Sequence, residues 1–428
     1  MDAGPLRLSR GAGSTSPPDT TAPAARLGGR AQVVLILGAL SAFGPLSIDM
    51  YLPGLPELGR SLDAPAWAVQ LTLTACLAGL ALGQIVAGPL SDRFGRRGPL
   101  LVGVAAYAVA SLLCALAPSV AVLVVLRFAQ GIAGAAGIVI ARAIVRDMHS
   151  GVAAARFFSL LMLVNGLAPI LAPVIGGQIL TVTSWRGVFV VLTAIGALLF
   201  AATATGLPET LAPEKRHPGG VGETLHTFGR LLADRTFLGH ALACGLAFGA
   251  MFAYISGSPF VLQDIYGASP QLFSVMFACN ALGLVAASQA NRALLLRFEP
   301  LSILRTALSV QALGAVALLV VVASGGGVWG IVALLFVVVA SLGLVFPNAT
   351  ALALADHPRV AGSASGLLGV LQFIVGAAAA PLVGVAGTAT ALPMALTIAV
   401  LGVGGVVSAT VLASRPARMP AHPAHSGT

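Results

Sequence analysis

The chain has 428 residues, of which 57% are hydrophobic and 9% charged, with a formal net charge of +9. A soluble domain carries about 25% charged residues; no water-facing fold covers so much apolar surface, so lipid is the expected solvent and soluble enzymes and binding modules are excluded. The positive charge forms no stripe along a soluble face and includes one lysine, Lys215, so nucleic acid is not an expected partner.

Residues 1–30, rich in Gly, Pro, Ser, Thr, Ala and Arg, read as a disordered cytoplasmic tail. The apolar run that follows is too long for a signal peptide and reads as a retained first helix. About twelve segments then recur that can span hydrocarbon at about 1.5 Å rise per residue. In chain order they are Ala31–Tyr51, Trp67–Pro89, Pro99–Ala117, Val120–Ala143, Ala155–Leu180, Trp185–Gly206, Phe237–Leu262, Gln271–Ala293, Leu301–Ala323, Val328–Ala355, Gly362–Ala386 and Ala391–Ala413. The expected fold is an all-α polytopic membrane protein with two six-helix bundles, residues 31–206 and 237–413. A polar linker, residues 207–236 with "PETLAPEKRHPGG", joins them, and residues 414–428 form a second disordered cytoplasmic tail.

Basic residues fix the expected orientation. Of the 23 Lys and Arg, 18 fall in tails and loops on the side of the two termini, and the opposite loops keep only Arg60 and Arg186. Cytoplasmic loops carry such an excess, so both termini are expected inside. "GPLSDRFGRRGPLL" after the second segment and "ANRALLLRFEPLSIL" after the eighth are weak echoes of one another, as an internal repeat of two halves requires.

Three groups of residues stand out. The first is "GPLSDRFGRR", with Gly88, Pro89, Asp92, Arg93, Gly95, Arg96 and Arg97. Gly and Pro are expected to break the second helix at the membrane surface, Gly95 to allow a tight turn, and Asp92 to accept from a neighbouring helix N-terminus. The second is made of small-residue stripes: Ala75, Gly79, Gly83 and Ala87; Gly131, Gly134 and Gly137; Gly362, Gly366 and Gly369. Such stripes bring helices close, either as static packing or as a bearing on which two halves rock. The third is Asp49, in "LSIDMYLPGLP". A carboxylate in hydrocarbon costs about 2.5 to 3.5 kcal/mol on the insertion scale, so it must meet water, a partner or a proton. Arg127 is the other charge well inside a segment, and a pair across a central cavity is the economical expectation. The competing reading puts Asp49 at the outer interface, ending the first helix before Pro53 and Pro56.

The full string "GPLSDRFGRR" resembles the signature loop of the major facilitator superfamily. "LSIDMYLPGLP", "RFAQGIAGAAG", "LAPVIGGQI", "SWRGVF" and "GSPFVLQDIYG" look like the bacterial Bcr/CflA drug-resistance family, over roughly Ala31 to Arg415. That resemblance implies a multi-pass protein of the bacterial cytoplasmic membrane, acting as a monomer, that exports small, mostly apolar antibiotics of the bicyclomycin, phenicol or sulfonamide kind in exchange for protons. It implies a proton site at Asp49 tuned by Arg127, and a fifth-helix antiporter motif at Pro169, Pro173, Gly176 and Gly177, here with Ala172 where the general motif has glycine. Asn291 stands where the first half has Asp92, so no symmetric gating pair is expected.

Candidate cavity residues are Tyr51, Gln130, Asn165, Phe252, Tyr254, Asn280, Gln372 and Phe373, a few polar groups among apolar walls. No "GxxxxGK[ST]" string is present, so the proton gradient rather than ATP is the expected drive, with no cofactor and no metal. A metabolite symporter or facilitator would need more polar or basic residues within the segments. A membrane-integral enzyme would need a clustered His, Ser or acidic constellation, and the seven histidines offer none.

Overall fold

The computed structural model describes residues 24–148, 151–216, 221–357, 360–385 and 390–412, with side chains in the first half of the fifth long helix described only in part. The described residues form helices, turns and loops. In lipid every backbone N–H and C=O needs a partner within the segment, and continuous apolar runs satisfy this as helices. Ten described helices are long and apolar enough to cross a membrane, eleven when a bent first pair is taken as one. The remaining predicted segment, Ala155–Leu180, is covered to its last residue but one by a helix at Gly151–Ile179.

That first pair departs from the predicted Ala31–Tyr51. Helix α1 (Ala24–Ser41) begins inside the predicted tail and α2 (Phe43–Asp49) follows it, the stretch Phe43–Ser61 lying at 45° to Gln32–Ser41. Pro45 explains the break: it has no N–H to offer the Ser41 carbonyl, yet suits the first turn of a new helix. A 3₁₀ turn (Leu52–Gly54) and α3 (Leu55–Ser61) follow, each with a proline at its start. The remaining helices of the first half are α4 (Ala66–Phe94), α5 (Arg97–Ala115), α6 (Val120–Met148), α7 (Gly151–Ile179) and α8 (Trp185–Gly206).

The linker holds a helix the sequence reading did not anticipate, α9 (Val221–Ala233). Its Phe228 and Leu231 are buried in one cluster with Leu367 and Leu368, and the helix touches both α4 and the later helix Ala361–Val385. The second half comprises α10 (Arg235–Pro259), running on through a π-helical turn to Ile265, α11 (Pro270–Leu294), α12 (Pro300–Ala323), α13 (Val328–Leu354), α14 (Ala361–Val385) and α15 (Leu392–Val411). Asp234 caps α10 by accepting from the Thr236 and Phe237 N–H groups.

Helices α1, α2 and α4–α8 pack among themselves, as do α10–α15; the two groups meet chiefly along α4–α14 and α7–α11. The end of the molecule that carries the linker is here called the linker end, the other the far end. Among the described residues, the side-chain hydrogen bonds that cross between groups lie toward the far end. Arg60 pairs with Asp264 at 3.1 Å, Gln263 donates to the Pro53 carbonyl at 3.2 Å, and Gln271 donates to the Gly177 carbonyl at 3.1 Å. Gln70 donates to the Ser256 carbonyl at 3.1 Å, and Thr74 to that of Ala377 at 2.9 Å.

The glycine stripes divide by role. Gly79 and Gly83 of α4 meet α6 around Gly131, while Gly134 meets Tyr107 of α5 and Gly137 meets Phe43, all inside the first group. A Cβ on Gly131 would stand 2.2 Å from the Cys76 carbonyl oxygen, and one on Gly79 2.2 Å from that of Phe128. This is backbone-to-backbone packing within one group, so these two stripes are not a bearing between halves. The α14 stripe does face the other group, where Gly369 lies against the Gln84 amide. Replacing Gly131 with Leu forces α4 and α6 apart and should cost at least the 1 to 3 kcal/mol of ordinary overpacking. A thermal-shift assay in detergent should therefore show a clearly lowered melting temperature, whereas Gly98→Ala, with open space around its Cβ, should leave it in place.

Candidate functional site: a central cavity with one carboxylate

A cavity of about 320 Å³ lies between the two groups of helices. Its aromatic wall comes from the second group: Phe248, Phe252 and Tyr254 of α10, Phe277 of α11, Phe346 of α13 and Phe373 of α14. Phe248 packs against Phe252, Phe346 and Phe373 at centroid distances of 4.8, 6.2 and 5.7 Å. Tyr254 stacks on Phe277 at 5.4 Å and accepts a hydrogen bond from Asn280 at 2.9 Å. The Asn280 Oδ1 atom is buried without a partner among the described residues, an acceptor left available in the wall. Gln372 donates to the Cys244 sulfur at 2.9 Å.

The first group supplies the charge. Asp49, at the last turn of α2, is 5% exposed and lines the cavity with Pro45 and Ile48. This removes the reading in which it ends a helix at the outer interface. Among the described residues Asp49 makes no ion pair, and the expected Asp49–Arg127 pair does not form: Arg127 is not a cavity-wall residue. It is fully buried behind α2, its guanidinium carbon 4.7 Å from the centre of the Tyr51 ring and 5.6 Å from that of Phe189. Arg127 donates to Gln130 at 2.5 Å, and Gln130 donates to Ser111 at 2.7 Å. Tyr51 bonds Thr72, and Tyr107 lies 2.6 Å from the Ser47 hydroxyl. Tyr51 and Gln130, expected in the cavity wall, belong instead to this cation's setting. Cation–π contact offsets part of the cost of burying the charge. The arginine and the carboxylate are linked through α2 and the turn after it, because Ser47 and Tyr51, two residues to either side of Asp49, carry the contacts to the arginine's surroundings.

Of the other expected wall residues, Phe252, Tyr254, Asn280, Gln372 and Phe373 line the cavity, and the Asn165 side chain lies outside the described residues. Sequence reasoning missed Gln84, Arg142, Phe248, Phe277 and Phe346. Gln84 was legible as a polar residue inside an apolar run; Arg142 was passed over as a cation near a helix end.

The fifth-helix motif presses on the carboxylate's own backbone. A Cβ at Gly176 would stand 1.8 Å from the Met50 carbonyl oxygen, and one at Gly177 would stand 2.6 Å from the Ser274 hydroxyl of α11. One glycine thus seats α7 against the residue after Asp49, and the next seats it against the other group. Pro169 lines the cavity, and both Pro169 and Pro173 lie within the helix.

The loop motif differs from expectation in two ways. Helix α4 continues through Gly88 and Pro89 to Phe94, so proline does not end it. The turn comes at Gly95, whose φ of 92° suits glycine. The N-terminus of α5 is capped by Glu209, which accepts from the Arg96 N–H at 2.8 Å and the Arg97 N–H at 3.2 Å, rather than by Asp92. Asp92 instead bonds the Arg96 guanidinium, which also donates to Asp147 at 2.8 Å and Ser91 at 2.8 Å. Arg97 donates to the Ala204 carbonyl at 2.6 Å, and Arg93 lies over the Phe94 ring at 5.1 Å.

Two helix groups around a polar-spotted cavity, with this loop at one end, is a transporter plan. The model of the Major Facilitator Superfamily matches residues 35–381. The chain belongs to the major facilitator superfamily. It is a multi-pass transporter of that superfamily, not an enzyme, and its relatives include drug-resistance proteins. A Bacillus subtilis protein named as the uncharacterised transporter YdgK is 44% identical, with 88% of this chain and 94% of the relative covered. A bicyclomycin resistance protein homologue of Haemophilus influenzae is 34% identical, covering 89% and 96%. The multidrug resistance protein MdtL of Shewanella oneidensis is 30% identical, covering 87% and 92%. Among solved structures, a bacterial homologue of the human lysosomal transporter Spinster aligns with a TM-score of 0.71 at 16% identity over 89% of this chain and 95% of the other. The nucleoside transporter NupG aligns with a TM-score of 0.71 at 13% identity over 88% and 98%. These two share the fold.

The Glu209 cap makes a pH-dependent contribution. Partial burial works to raise the Glu209 carboxyl, but backbone N–H donors from Leu211, Arg96, Arg97 and Thr210 outweigh it and hold its pKa below the ordinary value. A carboxyl depressed in the folded state stabilises above its unfolded pKa and loses that contribution as pH falls through the folded one. Glu209→Gln should lower the melting temperature at neutral pH by the loss of a cap, about 1 kcal/mol. The difference from wild type should shrink toward zero in acid, as read by thermal shift across a pH series.

Proposed function

We propose that the chain exports small, mostly apolar drugs in exchange for protons, with Asp49 as the group that the two compete for. The observation that carries this reading is a single one: among the described residues Asp49 is the one carboxylate in the wall of a largely aromatic cavity, buried and without an ion pair. A carboxylate so placed is stable as an ion only while water or a cationic or hydrogen-bond-donating ligand attends it, and otherwise takes a proton. Protonation then weakens drug binding and drug expels the proton, a mutual penalty of the kind that couples two ligands. Arg127 acts through Tyr51 and Ser47 on the α2 segment that carries Asp49, holding the carboxylate's position rather than neutralising it.

The named relatives support the cargo class, since two of those cited carry bicyclomycin or multidrug resistance in their names. The Lys/Arg asymmetry supports a linker end facing the cytoplasm. On that orientation the cross-group hydrogen bonds seal the outer side, with the two six-helix halves, residues 31–206 and 237–413, rocking about α4–α14 and α7–α11.

The test is the transmembrane pH gradient of everted vesicles, with bicyclomycin, phenicols and sulfonamides added one at a time. At least one compound should collapse the gradient with wild type and leave it intact with Asp49→Asn. Equal collapse with both proteins would place the coupling elsewhere. No response from inserted wild type to any compound would count against drug–proton exchange.

A further inference from the structure

We propose that the cavity is a two-ended site for a zwitterionic small molecule, its cationic group at Asp49 and its acidic group at Arg142. This deepens the drug-export reading and rests on it.

Arg142 is the second charged residue in the cavity wall among the described residues. It makes no hydrogen bond or ion pair there, and the charged neighbour close enough to act on it is Arg146, one turn on and of the same sign. The part-described side chains of α7 hold no counter-ion for it, because no Asp or Glu occurs between Asp147 and Glu209. Asp147 itself is taken by Arg96. Arg142 is exposed to the cavity with a second cation beside it, so an anionic group can reach it, and its planar fork suits a carboxylate.

The two charges stand at opposite ends. Gly44 of α2 lies beside Ile138 of α6, where a Cβ would be 3.4 Å from the Ile138 side chain, and Tyr51 lies beside Arg127. Helices α2 and α6 therefore run antiparallel. Asp49 lies five residues beyond Gly44 toward the far end, and Arg142 four residues beyond Ile138 toward the linker end. At about 1.5 Å per residue their backbones are roughly 13 Å apart along the axis. That separation is too great for a direct ion pair between backbones so placed, and the cavity that both residues line also has Phe248, Phe252 and Phe373 in its wall. A rigid apolar body with one charge at each end matches it. The arrangement also keeps exchange with protons intact, because the proton competes for Asp49 alone while Arg142 holds the acidic end.

Ciprofloxacin is a suitable probe: its piperazinium and carboxylate sit at opposite ends of an aromatic body, and it is fluorescent. Binding would be measured on the full-length protein in nanodiscs for ciprofloxacin, its methyl ester and its N-acetyl derivative. Wild type should bind ciprofloxacin about tenfold to a hundredfold more tightly than either blocked form, the usual worth of a charge-assisted hydrogen bond. Arg142→Gln should reduce ciprofloxacin to the level of the ester, Asp49→Asn to the level of the N-acetyl form, and Arg142→Lys should keep part of the preference. Equal binding of all three by wild type, or an equal loss of ester and parent in Arg142→Gln, overturns the inference. Proton-dependent export of chloramphenicol, which carries neither charge, separates the two claims. Export without a zwitterion preference sinks the two-ended site and leaves drug export standing; neither binding nor export sinks both.

Discussion

A carboxylate held among aromatic rings cannot stay charged and unattended, and the rest of the structure is arranged around that constraint. Asp49 sits where α2 ends, on a short segment set off from α1 by the break before Pro45. A straight first helix would carry the carboxylate along a different line. The broken one lets Asp49 face the cavity while Ser47 and Tyr51 reach back to Tyr107 and the Arg127 cage. Gly176 allows α7 to press against the Met50 carbonyl, so the same segment is gripped from both sides. Asp49 is thus, among the described residues, a carboxylate without an ion pair on a tightly packed segment, which fits the proposed exchange of partners.

The two helix groups use different chemistry where they must stay together and where they must part. Within the first group, Gly79 and Gly131 bring α4 and α6 into backbone contact, which leaves no room for relative movement. Between the groups, contact at the far end combines hydrogen bonds to backbone carbonyls and the exposed Arg60–Asp264 pair with a buried apolar cluster that includes Leu52, Val69, Val261 and Val383. Exposed ion pairs are worth about 0 to 1 kcal/mol, so the Arg60–Asp264 pair adds little to that contact. At the linker end, the Arg96 cluster and the Glu209 cap tie α4, α5, α6 and the segment after α8 into one unit within the first group. A first group that moves as one unit fits alternating access on the proposed reading.

Much of this was legible in the sequence, and the misses have physical reasons. Asp49 announced itself because a charge in an apolar run is costly wherever it points. Its facing was not legible, since a break at Pro45 rotates everything after it. Arg127 was equally visible, but a guanidinium can be accommodated by rings as well as by a carboxylate, and Tyr51 and Phe189 supply the rings. Arg142 was missed because lying near a helix end explains an arginine cheaply, as an inner-loop cation. Helix α9 was hidden by its Pro/Gly-rich flank, although Leu225, Phe228 and Leu232 already carried helical spacing. Pro89 misled because proline breaks helices in water, whereas a long apolar helix carries it through.

The central claim is that proton and drug compete for the Asp49 carboxyl. Infrared difference spectroscopy of the purified protein in lipid tests it directly, by following the C=O stretch of protonated carboxyl groups as a transported drug is added at constant pH. The account predicts that drug removes a protonated-carboxyl band from wild type and that the loss is absent in Asp49→Asn. Drug binding with no carboxyl change in wild type, or the same loss in both proteins, would contradict it.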